Sequence, residues 1–339
     1  MRLSWLHPGF LCPVWIVAAL LVLPVGLAWG QRGGGPPWQK YDIAVTRQLH
    51  IGGAELQVEI ATGHTDLPGD SLFRHVQDAA TAVAVYYDRF PVSRARVLII
   101  PVEGRGGIFG GTTWGGMGQW PGFTRIHVGE HTTAADLADD WMMTHELVHT
   151  AFPSLPDDQH WMEEGLATYV EPIARVQAGE LQASEIWHDM VRDMPKGEPG
   201  PGDEGLDRTH TWGRTYWGGA LFCLVADVDI RRETGNRKGL QDALRAIVAA
   251  GGTIDHDWEL PKALEIGDRA TGTRVLTSLY AAWKDSPSPV DLPKLWNELG
   301  IRAGADGIEF DAKAPLARVR EGITQQPAHA EDAGFPAMR

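Results

Sequence analysis

The chain has 339 residues, of which 30 are Lys or Arg and 44 are Asp or Glu, so its formal net charge is −14. A charged content of 22% together with 9% aromatic residues excludes a disordered or fibrous chain and predicts a folded globular protein. The acidic balance argues against nucleic acid as a partner and disfavours docking on anionic lipid, since both need a basic surface.

The first thirty residues have the layout of a secretory signal. Arg2 precedes an apolar stretch over residues 14–23, and the small residue Gly30 closes the segment. We therefore predict that residues 1–30 are a signal peptide and that the protein is exported, either to the periplasm or to the extracellular space. The alternative is an uncleaved N-terminal anchor, because apolar character extends loosely over residues 10–29.

Cysteine use is sparse. Removal of residues 1–30 would take Cys12 away and leave Cys223 as the single cysteine. One cysteine cannot form an internal disulfide, and Cys223 lies in an apolar run, so we predict a packed thiol and not a nucleophile.

The N-terminal half alternates strand patterns with one helical pattern. Residues 31–40 are rich in Gly and Pro and predict a flexible leader, and residues 41–132 predict a strand-rich lobe. The elements predicted in this lobe are strands over 43–45 and 56–60 separated by Gly52 and Gly53, a helix over 71–89 with Asp70 as its cap, a buried strand over 96–101, a glycine-dense segment over 104–122 and a strand over 125–128.

Helical periodicity dominates from residue 133 onward. The predicted helices cover 134–151, 158–178, 214–234, 238–249, 271–284 and 291–299, and a surface loop is predicted over 195–211. The boundaries that follow are a helical lobe over 133–290, a small closing element over 291–324 and a frayed tail over 325–339. A mixed half followed by a helical half predicts an α+β fold with a cleft where the halves meet.

The sequence over residues 145–149 is His-Glu-x-x-His, which is the strongest chemical signal in the chain. Thr133 and Asp136 have the spacing of a capping box, so the segment is predicted to be helical. On a helix, His145 and His149 lie one turn apart on the same face and can offer two imidazoles to one cation, with Glu146 beside them. The alternative is a surface helix with solvated side chains.

A second acidic segment follows in the predicted helix over 158–178. A catalytic zinc usually has three protein ligands and one open position, so a Glu from this helix would complete a His/His/Glu set. Together, residues 145–149 and the pattern Trp161-x-x-Glu164-Gly165-x-Ala167 resemble the gluzincin zinc metallopeptidases of the thermolysin-like, peptidase MA-like superfamily. The nearest branches are the aminopeptidase-N-like and glycyl-aminopeptidase-like ones.

This resemblance implies a thermolysin-like fold, one Zn²⁺ per chain and three metal ligands. It assigns the ligands to His145, His149 and Glu164, with the adjacent Glu163 as the alternative for the third. It also implies that Glu146 is the general base for a zinc-activated water. For the outer shell around the imidazoles, Asp140 and Glu171 are candidates, and the alternative for both is a solvated helix face.

Downstream, the segment over 214–221 resembles the part of the family that carries a catalytic tyrosine. The resemblance implies that Tyr216 stabilises an oxyanion, although Gly218 stands where the family usually has Lys. Two alternatives remain: His210 as the donor from the same loop, or Tyr216 as a packing residue.

Upstream, Gly115, Gly116 and Met117 lie about thirty residues before His145, where the aminopeptidases carry a Gly-x-Met-Glu-Asn strand. The resemblance implies that these residues pair with a substrate backbone. Gly118 and Gln119 replace the Glu-Asn pair, so the carboxylate that would hold a free α-amino group is missing. The alternative is a plain glycine-rich surface hairpin.

The sequence therefore predicts zinc-dependent hydrolysis of peptide bonds in peptide or protein substrates. Two alternatives remain open. The first is an exported zinc- or peptide-binding protein that keeps the scaffold without turnover, and the second is a hydrolase of a non-peptide amide. No membrane contact is expected beyond the possible anchor.

Overall fold

The computed structural model describes residues 39–304 and 307–326. The predicted signal peptide and nearly all of the predicted leader and tail lie outside these residues. Within them, a mixed five-stranded sheet comes first in the chain and a set of helices follows, as the α+β prediction requires. No helix in the described residues is both long and apolar enough to span a bilayer.

The sheet has three parallel strands at its centre and one antiparallel strand at each edge. Its strands are β1 (Ile43–Ile51), β2 (Ala54–Ala61), β3 (Arg94–Val102), β4 (Ile108–Met117) and β5 (Trp120–Gly129). Their order is β1-β2-β3-β5-β4, with β2, β3 and β5 parallel. The glycine-rich β4 therefore lies at an edge, where one side of its backbone has no strand partner within the sheet.

The first hairpin is closed by two glycines in the left-handed region. Gly52 has φ of +55° and Gly53 has φ of +81°, which is the conformation that a two-residue hairpin turn requires. The predicted break between the first two strands is thus confirmed, although β1 continues much further than the predicted segment over 43–45.

Helix α1 (Ser71–Tyr87) crosses the sheet between β2 and β3, as two parallel strands require. Its alanine-rich surface is buried along most of its length. Asp70 occupies the predicted position directly before the helix. Its side chain makes no capping hydrogen bond, however, because the carboxylate pairs with Arg47.

The helical part contains more helices than the sequence predicts. Its members are α2 (Ala134–Ala138), α3 (Met142–Val148), α4 (His160–Ala178), α5 (Ala183–Asp193), α6 (Gly219–Thr234), α7 (Leu240–Ala249), α8 (Leu260–Thr271), α9 (Val275–Trp283), α10 (Leu292–Leu299) and α11 (Ala317–Thr324). The predicted helix over 134–151 is wrong as a single element: it breaks between α2 and α3 and ends in a 3-10 turn, His149–Ala151. Helices α5, α8 and α11 are absent from the prediction.

The capping box at Thr133 is confirmed. The Thr133 side chain accepts a hydrogen bond from the Asp136 backbone, and the Asp136 carboxylate accepts one from the Thr133 backbone. This box starts only the short α2, because α3 has a separate cap. Asp140 Oδ1 accepts from the Met142 backbone and Oδ2 from the Met143 backbone, each at 3.1 Å.

The main core lies between one face of the sheet and the helices. Val97 and Ile99 of β3 belong to it, whereas Leu98 and Ile100 point to the opposite face and join a small second cluster with Phe123. Cys223 is a fully buried free thiol of the main core, which confirms the prediction for this residue. The core thus fixes the sheet against the helices that carry the metal-binding motif.

The last described elements are attached to the helical part. Strands β6 (Ile301–Gly304) and β7 (Gly307–Phe310) form an antiparallel pair between α10 and α11. The Asn236 side chain donates to the Arg318 carbonyl at 2.8 Å, and the Gln177 side chain donates to the Ile323 carbonyl at 3.2 Å. These bonds hold α11 against α4 and α6.

Candidate active site

The two histidines and one glutamate of the predicted ligand set meet in space. His145 lies in the last turn of α3, His149 follows in the 3-10 turn, and Glu164 lies near the start of α4. Glu164 Oε2 is 3.1 Å from His145 Nε2 and 3.6 Å from His149 Nε2. One potential ligand atom from each residue lies within 4.8 Å of the other two.

This donor set fits a zinc ion. Two imidazole nitrogens and one carboxylate oxygen are the ligands of many catalytic zinc sites, and they leave one position open. His145 is buried, while His149 and Glu164 are largely buried. Burial would raise the pKa of Glu164, but the charge of His149 and the hydrogen bonds with His145, His149 and His160 together hold it well below its usual range.

Glu163, the alternative third ligand, points elsewhere. Its Oε1 accepts from the Leu155 backbone at 3.2 Å, and its Oε2 lies 2.9 Å from His160 Nδ1. It therefore stabilises the chain that enters α4 and takes no part in the three-residue group.

His160 is a neighbour of the site that the sequence analysis missed. Its Nε2 lies 3.3 Å from Glu164 Oε1, while its Nδ1 contacts Glu163. The hydrogen bond to Glu163 and, as the second cause, the hydrogen bond to Glu164 raise the pKa of His160 to about 10. One oxygen of Glu164 is thus held by His160 and the other faces the two imidazoles. The spacing of four residues between His160 and Glu164 on one helix is a signal that could have revealed this pair.

Glu146 is buried beside the ligand group without belonging to it. Thr113 Oγ1 lies 2.8 Å from both the backbone oxygen and the carboxylate Oε2 of Glu146, which ties this residue to β4. Burial raises the pKa of Glu146, although the charges of His149 and His145 act in the opposite direction. A carboxyl group with a raised pKa that is fixed next to a metal site is well suited to accept and return a proton.

Tyr216 lies near His145 and Glu164. It belongs to a π-helical turn, Gly213–Gly218, that leads directly into α6. Its ring centroid is 6.3 Å from that of His145 and 5.8 Å from that of Trp212. Burial raises the pKa of Tyr216, and so do the charges of Glu164 and Glu146 and a hydrogen bond with Glu164, so the phenol stays protonated and can donate. The rival donor, His210, is exposed to solvent.

Two glycines allow α4 and α6 to approach closely enough to form this site. A Cβ at Gly165 would lie 2.2 Å from Gly219 Cα, and a Cβ at Gly219 would lie 2.1 Å from the Trp161 carbonyl oxygen. The residue after the ligand Glu164 is therefore fixed as glycine by helix packing. This contact places the π-helical turn beside the ligands.

The chain is similar in structure to solved proteins of low sequence identity. An aminopeptidase N family protein from Idiomarina loihiensis matches with a TM-score of 0.56 and 13% identity, over 80% of this chain and 53% of that chain. An M1 zinc metallopeptidase from Deinococcus radiodurans matches with a TM-score of 0.47 and 17% identity, over 75% of this chain and 53% of that chain. This chain has the gluzincin metallopeptidase fold.

The likeness has clear bounds. The chain spans about half the length of these solved structures. No family model and no curated protein matches the sequence. The comparison therefore supports the gluzincin fold, and the evidence for an activity comes from the residues of the site.

Residues 115–117, which are predicted to contact substrate, lie at the end of β4, whereas the residues of β4 that lie against Glu146 are Gly111 and Thr113. Gly115 lies against the backbone of the segment after α7, where an added Cβ would be 2.0 Å from the Ile254 carbonyl oxygen. Met117 packs on the second core cluster at the end of β4. Substrate contact by residues 115–117 stays a prediction. Gly111 and Thr113 were missed because their contact with Glu146 depends on tertiary packing, for which the sequence has no local signal.

The outer-shell candidates have other partners. Asp140 caps α3 and lies 2.8 Å from His75 Nε2, and Glu171 pairs with Arg175 Nη1 at 3.1 Å. In the described residues, neither carboxylate is hydrogen-bonded to a ligand imidazole. Because both are buried, the alternative of a solvated helix face is wrong as well.

Proposed function

We propose that this protein is a zinc-dependent peptidase that cleaves peptide bonds with Glu146 as the general base. The observation that carries this proposal is the meeting of His145, His149 and Glu164 with the Glu146 carboxylate beside them but outside the ligand group. A purely structural zinc site would use four protein ligands and would have no need of a buried carboxylate next to it.

In this proposal the residues of the chain bind the metal, transfer a proton and stabilise an oxyanion. A zinc ion bound by the three ligands would supply Lewis acidity, which lowers the pKa of a water molecule and polarises a substrate carbonyl. Glu146 accepts the proton of the attacking water and returns it to the leaving amine, and burial raises its pKa, which makes the carboxylate a better base. Tyr216 donates a hydrogen bond to the oxygen on which negative charge develops, because its phenol remains protonated.

Strand β4 is suited to hold the substrate backbone. It is an edge strand, and an extended peptide can add to the free side of such an edge through main-chain hydrogen bonds. Gly111 and Thr113 of this strand face Glu146, so a peptide paired here would bring a scissile bond close to the base.

The test compares the metal content and the activity of the wild type and of Glu146→Gln. We expect about one zinc per chain in both proteins, measured by atomic emission, because Glu146 is not a ligand. We expect hydrolysis of a peptide mixture by the variant to fall by about 10²–10⁴-fold, the usual contribution of a general base. Equal turnover by the two zinc-loaded proteins would contradict the role of Glu146.

A second candidate is a zinc- or peptide-binding protein without turnover. It is favoured by Gly118 and Gln119, which replace the Glu-Asn pair of the aminopeptidases and lie in the turn between β4 and β5. A chelator-sensitive cleavage product in the wild-type reaction would exclude this candidate, whereas tight zinc binding with no product would favour it.

Export is a separate part of the proposal and rests on the secretory layout of residues 1–30. The mass of the mature protein recovered from cells tests it. Loss of the mass of about thirty N-terminal residues is expected, and a full-length membrane-bound product would indicate the anchor instead.

A further inference from the structure

A cavity of about 480 Å³ opens directly beside the proposed reaction centre. It lies between α4, α5 and the π-helical turn, and His145 and Tyr216 form the wall that it shares with the metal site. A cavity of this volume is large enough for a substrate side chain next to the scissile bond. None of the roles proposed so far uses it.

The walls of the cavity offer apolar and aromatic surface. Leu181, Ile186 and Met190 supply aliphatic surface from α5 and the loop before it. Trp141 and Trp212, also in the lining, are 48% and 55% exposed. Trp141 makes an edge-to-face contact with His145, and Trp212 stacks on Tyr216 with Lys196 Nζ 5.9 Å from its ring centroid, so the surface that remains exposed on both rings is open to solvent. Exposed tryptophans at the edge of a cavity offer faces on which an aliphatic stem or a cation can pack.

Carboxylates outnumber cations in the lining. The charged residues of the wall are Asp139, Glu171, Glu185, Asp189 and Asp193 against Arg175 and Arg192. Each of the two guanidinium groups is already shared by two carboxylates. Arg175 contacts Glu171 and Glu180, each at 3.1 Å, and Arg192 contacts Asp189 at 2.7 Å and Asp193 at 2.6 Å. The cavity therefore has an excess of negative charge.

Two carboxylates of this acidic wall are buried: Asp193, which pairs with Arg192 and Lys196, and Glu171. Glu171 Oε1 accepts a hydrogen bond from Arg175, and the described residues supply no donor to its Oε2. Burial raises the pKa of Glu171 to about 7 despite the nearby Arg175. A second cation placed in the cavity would relieve this cost, because an opposite charge favours the ionised carboxylate.

We propose that this cavity binds the side chain of an arginine or lysine residue that flanks the scissile bond. Such a side chain combines an aliphatic stem, which the apolar wall and the tryptophans can cover, with a cationic tip for Glu171 and Asp189. The assignment of substrate preference rests on the proposed peptidase function, whereas binding of the side chain can be measured without turnover.

The first experiment measures preference during hydrolysis. Peptides that differ at one position on either side of the cleaved bond are compared by kcat/KM. We expect Arg or Lys at one of these positions to exceed norleucine and Glu by about tenfold or more, the scale of one favourable charge interaction. Asp189→Asn should reduce this ratio by about threefold and Glu171→Gln by more. The matched control is Glu265→Gln, an exposed carboxyl on α8 outside the lining.

The second experiment measures binding alone, in the Glu146→Gln background. The probes are Nα-acetyl-arginine amide and Nα-acetyl-norleucine amide, which share an aliphatic stem and lack free termini. Tryptophan fluorescence is the readout, since Trp212 lies at the cavity. We expect the arginine probe to bind at least tenfold more tightly, and Asp189→Asn to narrow the difference. Equal affinity of the two probes would overturn the inference.

The two experiments separate the two proposals. Hydrolysis of peptides without any preference for basic residues would leave the peptidase function standing and overturn the assignment of the cavity. Selective binding of the arginine probe by a protein that hydrolyses no peptide would contradict the peptidase function and support the assignment. A preference for phenylalanine or norleucine over arginine would identify the cavity as an apolar pocket and refute it.

Discussion

Gly111 lies directly against the side chain of Glu146. A Cβ added at Gly111 would be 2.6 Å from Glu146 Cγ and 2.8 Å from its Oε1, which is closer than side chains can approach. Thr113, two residues further along β4, contacts the other carboxylate oxygen of Glu146 at 2.8 Å. Strand β4 thus contacts Glu146 through both Gly111 and Thr113. A glycine is needed at position 111 because a side chain there would overlap with Glu146.

We therefore expect Gly111→Ala to lower kcat by about 10- to 100-fold, because small displacements of a catalytic group have effects of this size. Zinc content should not change, since the ligands do not contact Gly111. Steady-state kinetics and metal analysis measure the two quantities. Gly69→Ala is the matched control, as a Cβ at Gly69 meets open space. Unchanged kcat in Gly111→Ala would show that the position of Glu146 does not depend on this contact.

The meeting of the three candidate ligands could be predicted from the sequence because they lie within 20 residues of one another along the chain. His145 and His149 are one helical turn apart, so secondary structure alone brings them together, and Glu164 follows within a recognisable pattern. Gly111 could not be identified in this way. Its role depends on the register between β4 and the helix that carries Glu146, and register across elements is decided by tertiary packing.

Most predicted helices are confirmed, and the one over 134–151 failed for a similar reason. Residues 134–151 have continuous helical periodicity, yet Asp140 interrupts them by accepting hydrogen bonds from the Met142 and Met143 backbones. Asp side chains compete with the helix for backbone donors, so a local bond overrides the periodic pattern. Helix α5 did have a local signal that was not used, because Ile186, Trp187 and Met190 are buried at helical spacing.

The adjacent pair Glu163 and Glu164 provides a matched test of the metal site. Glu164→Gln should weaken zinc affinity by about 100-fold or more, since it removes an anionic ligand. Glu163→Gln should change zinc affinity only a few-fold, because Glu163 contacts Leu155 and His160. Competition with a zinc-binding dye measures both. Equal losses for the two variants would contradict the assignment of Glu164 as the ligand.

Helix packing at Gly165 and Gly219 predicts an effect on stability. Gly165→Ala should lower the free energy of unfolding by about 1–3 kcal/mol, the usual cost of excess volume in a packed interior. The cost should exceed the gain in helix propensity, because the added Cβ would lie 2.2 Å from Gly219 Cα. Urea denaturation measures the change. Gly200→Ala, at a position with open space, is the control, and a more stable Gly165→Ala would disprove the tight contact.

The choice between Tyr216 and His210 can be made by kinetics. Tyr216→Phe removes the hydroxyl and keeps the ring that stacks near His145 and Trp212, so we expect kcat to fall by about 10²–10³-fold with little change in KM. His210→Ala should leave kcat nearly unchanged, since His210 is exposed. Zinc content of both variants is the control for loss of metal. The opposite result would assign the oxyanion role to His210.

Glu171 predicts how stability depends on pH. Its pKa is raised to about 7 in the folded protein from the ordinary glutamate value of 4.5, with burial as the main cause. Below pH 4.5 the carboxyl is protonated in both the folded and the unfolded state and has no effect. As the pH rises to 7, the unfolded chain releases this proton while the folded protein retains it, so folding loses free energy until both states are ionised.

Replacing Glu171 by Gln removes this penalty. The free energy of unfolding of Glu171→Gln minus that of the wild type should therefore increase by about 3 kcal/mol between pH 4.5 and pH 8, at 1.36 kcal/mol per pKa unit. The change with pH is the informative quantity, because the loss of the Arg175 pairing affects the difference at every pH. Urea denaturation at several pH values measures it, with Glu265→Gln as an exposed control. If this difference in the free energy of unfolding decreases or stays constant as the pH rises, Glu171 is ionised in the folded protein well below pH 7. Arg175 would then outweigh the effect of burial.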